Sequence, residues 1–240
     1  MRTALILLAC LFAVPAWTPA WAEIAMVDQE GRAVTIGKLV DRPVVLAPVY
    51  YRCPNLCSAT LASTLQALAR TTLVAGRDYK VIAYSIDPQE GTAEANDAWQ
   101  IARRYMPNAA DGDDIRFLTA TEEASRALSS AIGFDYQKDE RTQQIDHPAR
   151  IAVLTPQGAV ARWLNPLAAE PDDLQFAVME ASAGKIGSLA ERIQLYCHHY
   201  DPVSGVYRPL AGQLMMACGL VTLAALGGYM GFALWKERRP

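Results

Sequence analysis

Strand-like apolar runs alternate with helix-like stretches through the middle of the chain, and the sequence therefore predicts an α/β fold. Three observations carry this reading. Continuous apolar segments at 44–50, 79–87 and 114–120 have the length and composition of strands buried on both faces. Helix-like stretches at 55–69, 91–106 and 122–134 separate or follow them, as crossover connections do in a parallel sheet. Finally, Pro156-Gln157-Gly158 interrupts "ARIAVLTPQGAVARWL", which is turn chemistry for an antiparallel hairpin at one edge of the sheet.

Taken in order, residues 1–22 read as a secretory leader: one positive charge at Arg2, an apolar core from Ala4 to Val14, and small residues at Ala20 and Ala22, so the mature chain is expected to start near Glu23. Leu7-Leu8-Ala9-Cys10 is similar to a lipoprotein cleavage box, but the apolar run ahead of Cys10 is short for one. The domain, 23–196, opens with a short strand, a turn at Gln29-Glu30-Gly31 and the buried strand 44–50. A helix from about Asn55 to Ala69 follows, then the strand "YKVIAYSID", the helix "GTAEANDAWQIARRYM", the strand "DIRFLTA" and the helix "EEASRALSSAIGF". A charged loop, "QKDERTQQIDH", leads to the hairpin, and a last helix runs from about Pro171 to Leu195. With two cysteines opening the first long helix, this order is the thioredoxin-like plan carrying a helix–strand insertion.

A juxtamembrane segment, 197–209, precedes an uncharged run at 210–235, longer than the roughly 20 residues that cross a bilayer. The tail 236–240 contains Lys236, Arg238 and Arg239. Cationic flanks stay cytoplasmic, which predicts a single-pass anchor in the inner membrane with its C-terminus inside and the domain outside, in the periplasm. The leader demands the same orientation. Between leader and anchor lie about 185 residues, enough for one domain with its own core. With Arg2 and the tail set aside, 18 Lys and Arg stand against 24 Asp and Glu, a net charge of −6, which excludes nucleic acid as an expected partner.

Of five cysteines, Cys10 lies in the leader and Cys218 in the apolar run, leaving Cys53, Cys57 and Cys197 in an oxidising compartment. In "YYRCPNLCSATL", Cys53 and Cys57 are four residues apart at a strand-to-helix junction, with Pro54 suited to a first helical turn. Side chains at that separation share a helix face, with Cβ atoms about 5–6 Å apart. The unpaired N–H groups at the helix start favour thiolates, which both redox exchange and soft-metal binding require. A redox pair usually has the tighter C-x-x-C spacing, so the wider pair favours spanning a metal, with redox exchange and a structural bridge left open.

The chain has three histidines, His147, His198 and His199. His147, in "IDHPARIAVL", ends the polar loop before the edge hairpin, a position that approaches the start of the first helix in a thioredoxin-like sheet. Its plainer reading is an exposed loop histidine. Two thiolates with one imidazole suit Cu(I) by softness and Cu(II) by its preference for nitrogen. In "YCHHYDPVSGVYRP", Cys197, His198 and His199 are adjacent and so point in different directions; packing on the domain to position the tether is favoured there over an accessory copper site.

From Ala33 to about Arg208 the pattern resembles the SCO/SenC family of respiratory-chain copper proteins. The resemblance rests on Cys53-Pro54-Asn55-Leu56-Cys57 after a strand ending in Tyr51, on "SIDP" at 85–88, and on "DHPARIAVLTPQGAVARWL". It implies copper ligands at Cys53, Cys57 and His147, delivery of copper to the binuclear CuA site of a cytochrome c oxidase subunit, and exchange with other periplasmic copper donors or thiol reductases. Two features depart from the family's usual text. Gly91 stands where an acidic residue is common, and the anchor is C-terminal, as in a bacterial subset with a "CxHYDP" segment. A metallochaperone, which is not an enzyme, is the leading expectation. A thiol-disulfide oxidoreductase acting on the cysteines of an apo copper site is the alternative, and a peroxidase is more distant, since it wants an activating Arg and Thr around the attacking cysteine and only Arg52 is near.

Overall fold

β-Branched and aromatic residues fill the strands, and every side chain of the three central ones is buried: β3 (Val44–Val49), β4 (Lys80–Ser85) and β5 (Ile115–Thr119). The computed structural model describes residues 19–53, 57–106, 109, 114–142, 144–183 and 187–237. Most of the leader, Pro54, Asn55, Leu56 and the tail from residue 238 lie outside the described residues, as does the side chain of Cys57.

Around the three central strands the chain places β1 (Ala25–Asp28), β2 (Ala33–Thr35), the short α1 (Ile36–Leu39), α2 (Cys57–Leu68), α3 (Thr92–Tyr105) and α4 (Glu122–Ile132). Next come β6 (Gln137–Lys138), β7 (Ile145–Asp146), β8 (Ile151–Leu154), β9 (Val160–Leu164) and α5 (Pro171–Ala181). The C-terminal part is α6 (Leu189–Tyr196), β10 (His198–Asp201), β11 (Val206–Pro209) and α7 (Ala211–Glu237).

Seven strands form one sheet in the order β2-β1-β5-β4-β3-β8-β9. Among the described strands of this sheet, β3·β4 and β4·β5 pair in parallel, while β1 meets β5, and β8 meets β3, antiparallel. The expected α/β thioredoxin-like class holds, with its central mixed sheet flanked by helices, and antiparallel hairpins lie at both edges rather than one. Asp28 at the end of β1 explains the second edge: its buried carboxylate lies 2.9 Å from the Arg116 guanidinium of β5, and the neighbouring Gln29 amide oxygen accepts the Phe117 N–H at 3.1 Å. A buried charge needs such a partner, so the pair fixes where β1 docks.

Alternation along β3 divides the core into two layers. Val45, Ala47 and Val49 face α2, α3 and α5 with Val81, Phe117 and Phe176, whereas Val44 and Leu46 face α4 and the N-terminal segment with Ile82, Tyr84, Leu128 and Trp21. Two sequence expectations are corrected. The loop 137–147 contains a hairpin of its own, pairing Gln137 with Asp146 and Lys138 with Ile145. The single helix at 171–195 is two: α5 ends at Ala181, Ala183 turns left-handed (φ 54°), Gly187 follows at φ 87°, and Ser188 caps α6.

The segment around Cys197 is likewise a hairpin, β10–β11, packed on the domain. Tyr200 donates its hydroxyl to the Trp163 carbonyl, and Tyr207 its own to Glu180, which is also paired with Arg162 at 2.8 Å. The Tyr207 ring meets Phe176 edge-on at 5.6 Å. Only Leu210 separates this hairpin from α7, whose stretch Met215–Lys236 has mean hydropathy 1.7 and is long and apolar enough to cross a membrane. It is a candidate anchor.

Candidate metal centre

The end of β3 delivers the chain to Cys53 through a turn that is tied down from several sides. Tyr51 sends its ring into the core, 5.9 Å from Phe117, with its hydroxyl 2.9 Å from the Leu118 carbonyl. The Cys53 N–H donates to the Tyr50 carbonyl at 3.1 Å. Cys53 carries a free, half-buried thiol, and α2 starts at Cys57. The helix start brings the positive end of its dipole beside this turn.

A cleft of about 660 Å³ opens beside Cys53. Thr60 of α2 lines one side, and Lys138, Asp139, Ile145 and His147 of the β6–β7 hairpin and its exit line the other. The hairpin, unread in the sequence, is therefore what brings His147 to the cleft that Cys53 also lines. The imidazole is half-buried, packs 6.0 Å from the Phe134 ring, and has Nδ1 3.2 Å from the Pro148 carbonyl oxygen. A carbonyl only accepts, so in that contact Nδ1 carries the hydrogen.

Of the three residues predicted as ligands, two thus share one cleft, and the third, Cys57, opens the helix beside it. Among the described residues no group of three His, Cys, Asp or Glu side chains is placed to hold a metal ion, and the Cys57 side chain stands outside that set. In donor chemistry, a thiol and an imidazole on a partly open cleft fit a soft, exchangeable ion better than a closed structural site.

Sequence reasoning overlooked one residue here. Glu90, in the turn after "SIDP", is almost fully buried, and its carboxylate accepts the Tyr51 N–H at 3.0 Å and the Arg52 N–H at 2.6 Å. Burial pushes this carboxyl above its ordinary range, against the pull of the Ser85 hydroxyl and the two amides. The Arg52 guanidinium lies 3.7–3.8 Å from Asp87, Glu90 and Glu94. An acid between Pro88 and Gly91, just past a fully buried strand, was the available signal.

The histidines of the C-terminal hairpin, His198 and His199, do not line this cleft. His198 packs on Phe176 at 5.1 Å with Nδ1 2.8 Å from the Gln194 carbonyl, and Cys197 is an exposed thiol whose carbonyl accepts the Leu210 N–H. Here the packing reading fits the contacts.

No curated protein matches the sequence. Among solved structures, Arabidopsis thaliana ScoI with copper bound superposes with a TM-score of 0.54 at 17% identity, covering 66% of this chain and 94% of its own. BsSco, from work on a disulfide switch in the Sco family of cytochrome c oxidase assembly proteins, gives 0.51 at 18% identity over 70% and 97%. Apo Sco1 of Thermus thermophilus gives 0.50 at 22% identity over 67% and 88%. These likenesses establish the fold. The SCO1/SenC family model matches residues 20–181, from the Trp21 segment through β9 to the end of α5, and the chain belongs to that family.

Proposed function

We propose that this protein is a membrane-anchored copper metallochaperone that carries copper on Cys53, Cys57 and His147 and passes it to the CuA site of cytochrome c oxidase during assembly. The carrying observation is that Cys53 and His147 line one cleft at the start of α2, the helix that Cys57 opens. Copper is cargo here, so the site must release as well as bind. Cu(I) tolerates low coordination, and an open cleft lets an incoming thiolate join the ion before the donor's ligands leave. Family membership and copper-bound Sco neighbours support this reading. The free thiol of Cys53 beside a helix start supports a second one, reduction of a disulfide in the apo copper site.

His147→Ala separates them in the full-length protein. Cu(I) binding should weaken without vanishing, and the thiolate-to-copper absorption of the Cu(II) form should be lost or strongly shifted, while reduction of a model disulfide stays unchanged. In cells lacking the wild-type protein, the variant should assemble oxidase poorly at low copper and be partly rescued by added copper. Normal assembly by His147→Ala where Cys53→Ala fails would leave the thiols essential and the metal site idle, which is the reductase reading.

For the anchor we infer that α7 spans the inner membrane with Lys236 on the cytoplasmic side and the domain in the periplasm, by its length and its cationic end. A reporter active only in the periplasm should be silent when fused after Pro240; activity there would reverse the topology.

A further inference from the structure

We infer that Glu90 is a positioning residue for the copper-binding turn: its buried carboxylate holds the backbone of Tyr51 and Arg52 and thereby sets where Cys53 presents its sulfur. This rests on the reading of Cys53 as a ligand. Three observations carry it. The carboxylate divides its oxygens, Oε1 taking the Arg52 N–H at 2.6 Å and Oε2 the Tyr51 N–H at 3.0 Å, so that two consecutive amides converge on one anion. Ser85, level with Val49 in the β3·β4 pairing, places its hydroxyl 2.5 Å from Oε2, which ties the carboxylate to the sheet itself. The side chain of Glu90 has no exposed surface, although it belongs to a surface turn whose neighbours Pro88 and Gln89 are exposed.

An anion in that position does what a neutral group cannot. Charge-assisted bonds to both amides fix the peptide planes that end at the Tyr51 and Arg52 nitrogens, and the Cys53 N–H bond to the Tyr50 carbonyl ties the next one, with the Tyr51 ring held in the core. A glutamine would keep the volume, but its NH2 group would face one of the two N–H donors. Gly91 meanwhile starts α3 in extended backbone (φ −119°), its N–H held by Glu94 at 2.9 Å.

The test is Glu90→Gln in the full-length, detergent-solubilised protein, with Ser85→Ala as a second variant that removes one tie and keeps the charge. Two readouts need no copper. Amide hydrogen exchange at Tyr51 and Arg52 should accelerate roughly tenfold or more, the ratio one charge-assisted hydrogen bond is worth, and alkylation of Cys53 in a Cys57→Ser background should change severalfold, both less in Ser85→Ala. The Cu(II) form should show a shifted thiolate band and altered EPR parameters, with Glu90→Asp recovering part of the wild-type spectrum. Exchange and alkylation within twofold of wild type in Glu90→Gln would overturn the inference even if copper binding were normal. Wild-type protein that takes up no copper would instead overturn the chaperone reading, while the exchange and alkylation data would still decide the role of Glu90. Should Glu90→Gln fail to fold, unchanged exchange in Ser85→Ala counts against the inference and accelerated exchange for it.

Discussion

The packing of Trp21 argues against Glu23, the expected start of a processed chain, as its first residue. Sequence reading places Trp21 inside the leader, two residues before the expected new N-terminus at Glu23, yet its indole is only 5% exposed and packs with Met26, Ile36, Leu46 and Leu128. A β-carbon added at Gly158, which bends the β8–β9 turn at φ 82°, would lie 2.6 Å from the indole Cζ2, so the turn is shaped to the ring. The segment is tied in as well, through the Ala22 N–H to the Pro19 carbonyl at 2.8 Å and the Ile36 N–H to the Ile24 carbonyl at 3.0 Å. Truncating a buried tryptophan to alanine removes about 3–5 kcal/mol. At roughly 2–4 °C per kcal/mol for a domain of this size, Trp21→Ala should lower the thermal transition by roughly 6–20 °C. The assay is thermal unfolding by circular dichroism of the full-length and variant proteins, beside the intact mass of the exported wild type. That mass should correspond to cleavage ahead of Pro19. A transition within about 2 °C of wild type, or a mature chain starting at Glu23 with undiminished stability, would refute the reasoning, because the indole would then be a passenger.

Two further outcomes follow from the C-terminal contacts. Tyr207→Phe keeps the ring on Phe176 but removes the hydroxyl from the Glu180 carboxylate; a hydrogen bond to a charged group is worth about 1.5–3 kcal/mol when buried, and with Glu180 partly exposed the lower end is expected, read by thermal unfolding and by faster proteolysis of the β10–β11 hairpin. Glu191 is held at about 2 by the Thr72 hydroxyl first and by Ser188 and Gln175 after it. A carboxylate depressed on folding stabilises above its ordinary range and loses that contribution as pH falls towards the folded value. Protection of the α6 amides, their exchange rate taken relative to the intrinsic rate at each pH, should therefore fall between about pH 4.5 and 2, and Glu191→Gln should flatten that dependence; wild-type protection that stays constant would break the link between Glu191 and the docking of α6.

What the sequence disclosed, and what it hid, divides along physical lines. Continuous apolar runs such as 44–49 and 80–85 report burial on both faces, so the central strands were legible. The parallel pairing of β3, β4 and β5 was legible from their crossover helices and the antiparallel β8–β9 pair from its turn, whereas the antiparallel seat of β1 was not, because it depends on a buried ion pair between Asp28 and Arg116 that no local pattern announces. Strands of two residues, like β6 and β7, are shorter than any period and read as a charged loop. The break between α5 and α6 was legible yet unread: Gly187 followed by Ser188 and, three residues on, Glu191 is a stop and a fresh capping box. At the site, Cys53, Cys57 and His147 stood out by residue type, whereas Glu90 did not, since an acid in a surface turn is ordinary until the fold turns it inward.

On the proposed reading of α7 as an anchor and copper as cargo, the hairpin before α7 changes what tethering means. On a flexible linker the cleft would sample a wide volume over the membrane, and its effective concentration at a partner would fall as the linker lengthened. Here β10–β11 is bound to β9 and α5 through Tyr200, Tyr207 and the Gly205 carbonyl, which accepts the Asn165 N–H at 3.1 Å, and one residue later α7 begins. The packed hairpin narrows the freedom that a linker would give the cleft. If α7 spans the bilayer, such a mount favours partners whose acceptor site lies within the limited sweep of the domain and disfavours the rest, a selectivity that needs no contact at the cleft itself. Lengthening the junction at Leu210 with glycine and serine would separate the two contributions: copper affinity should stay the same while transfer to a membrane-bound acceptor changes, and an unchanged transfer rate would mean that encounter at the cleft alone governs delivery.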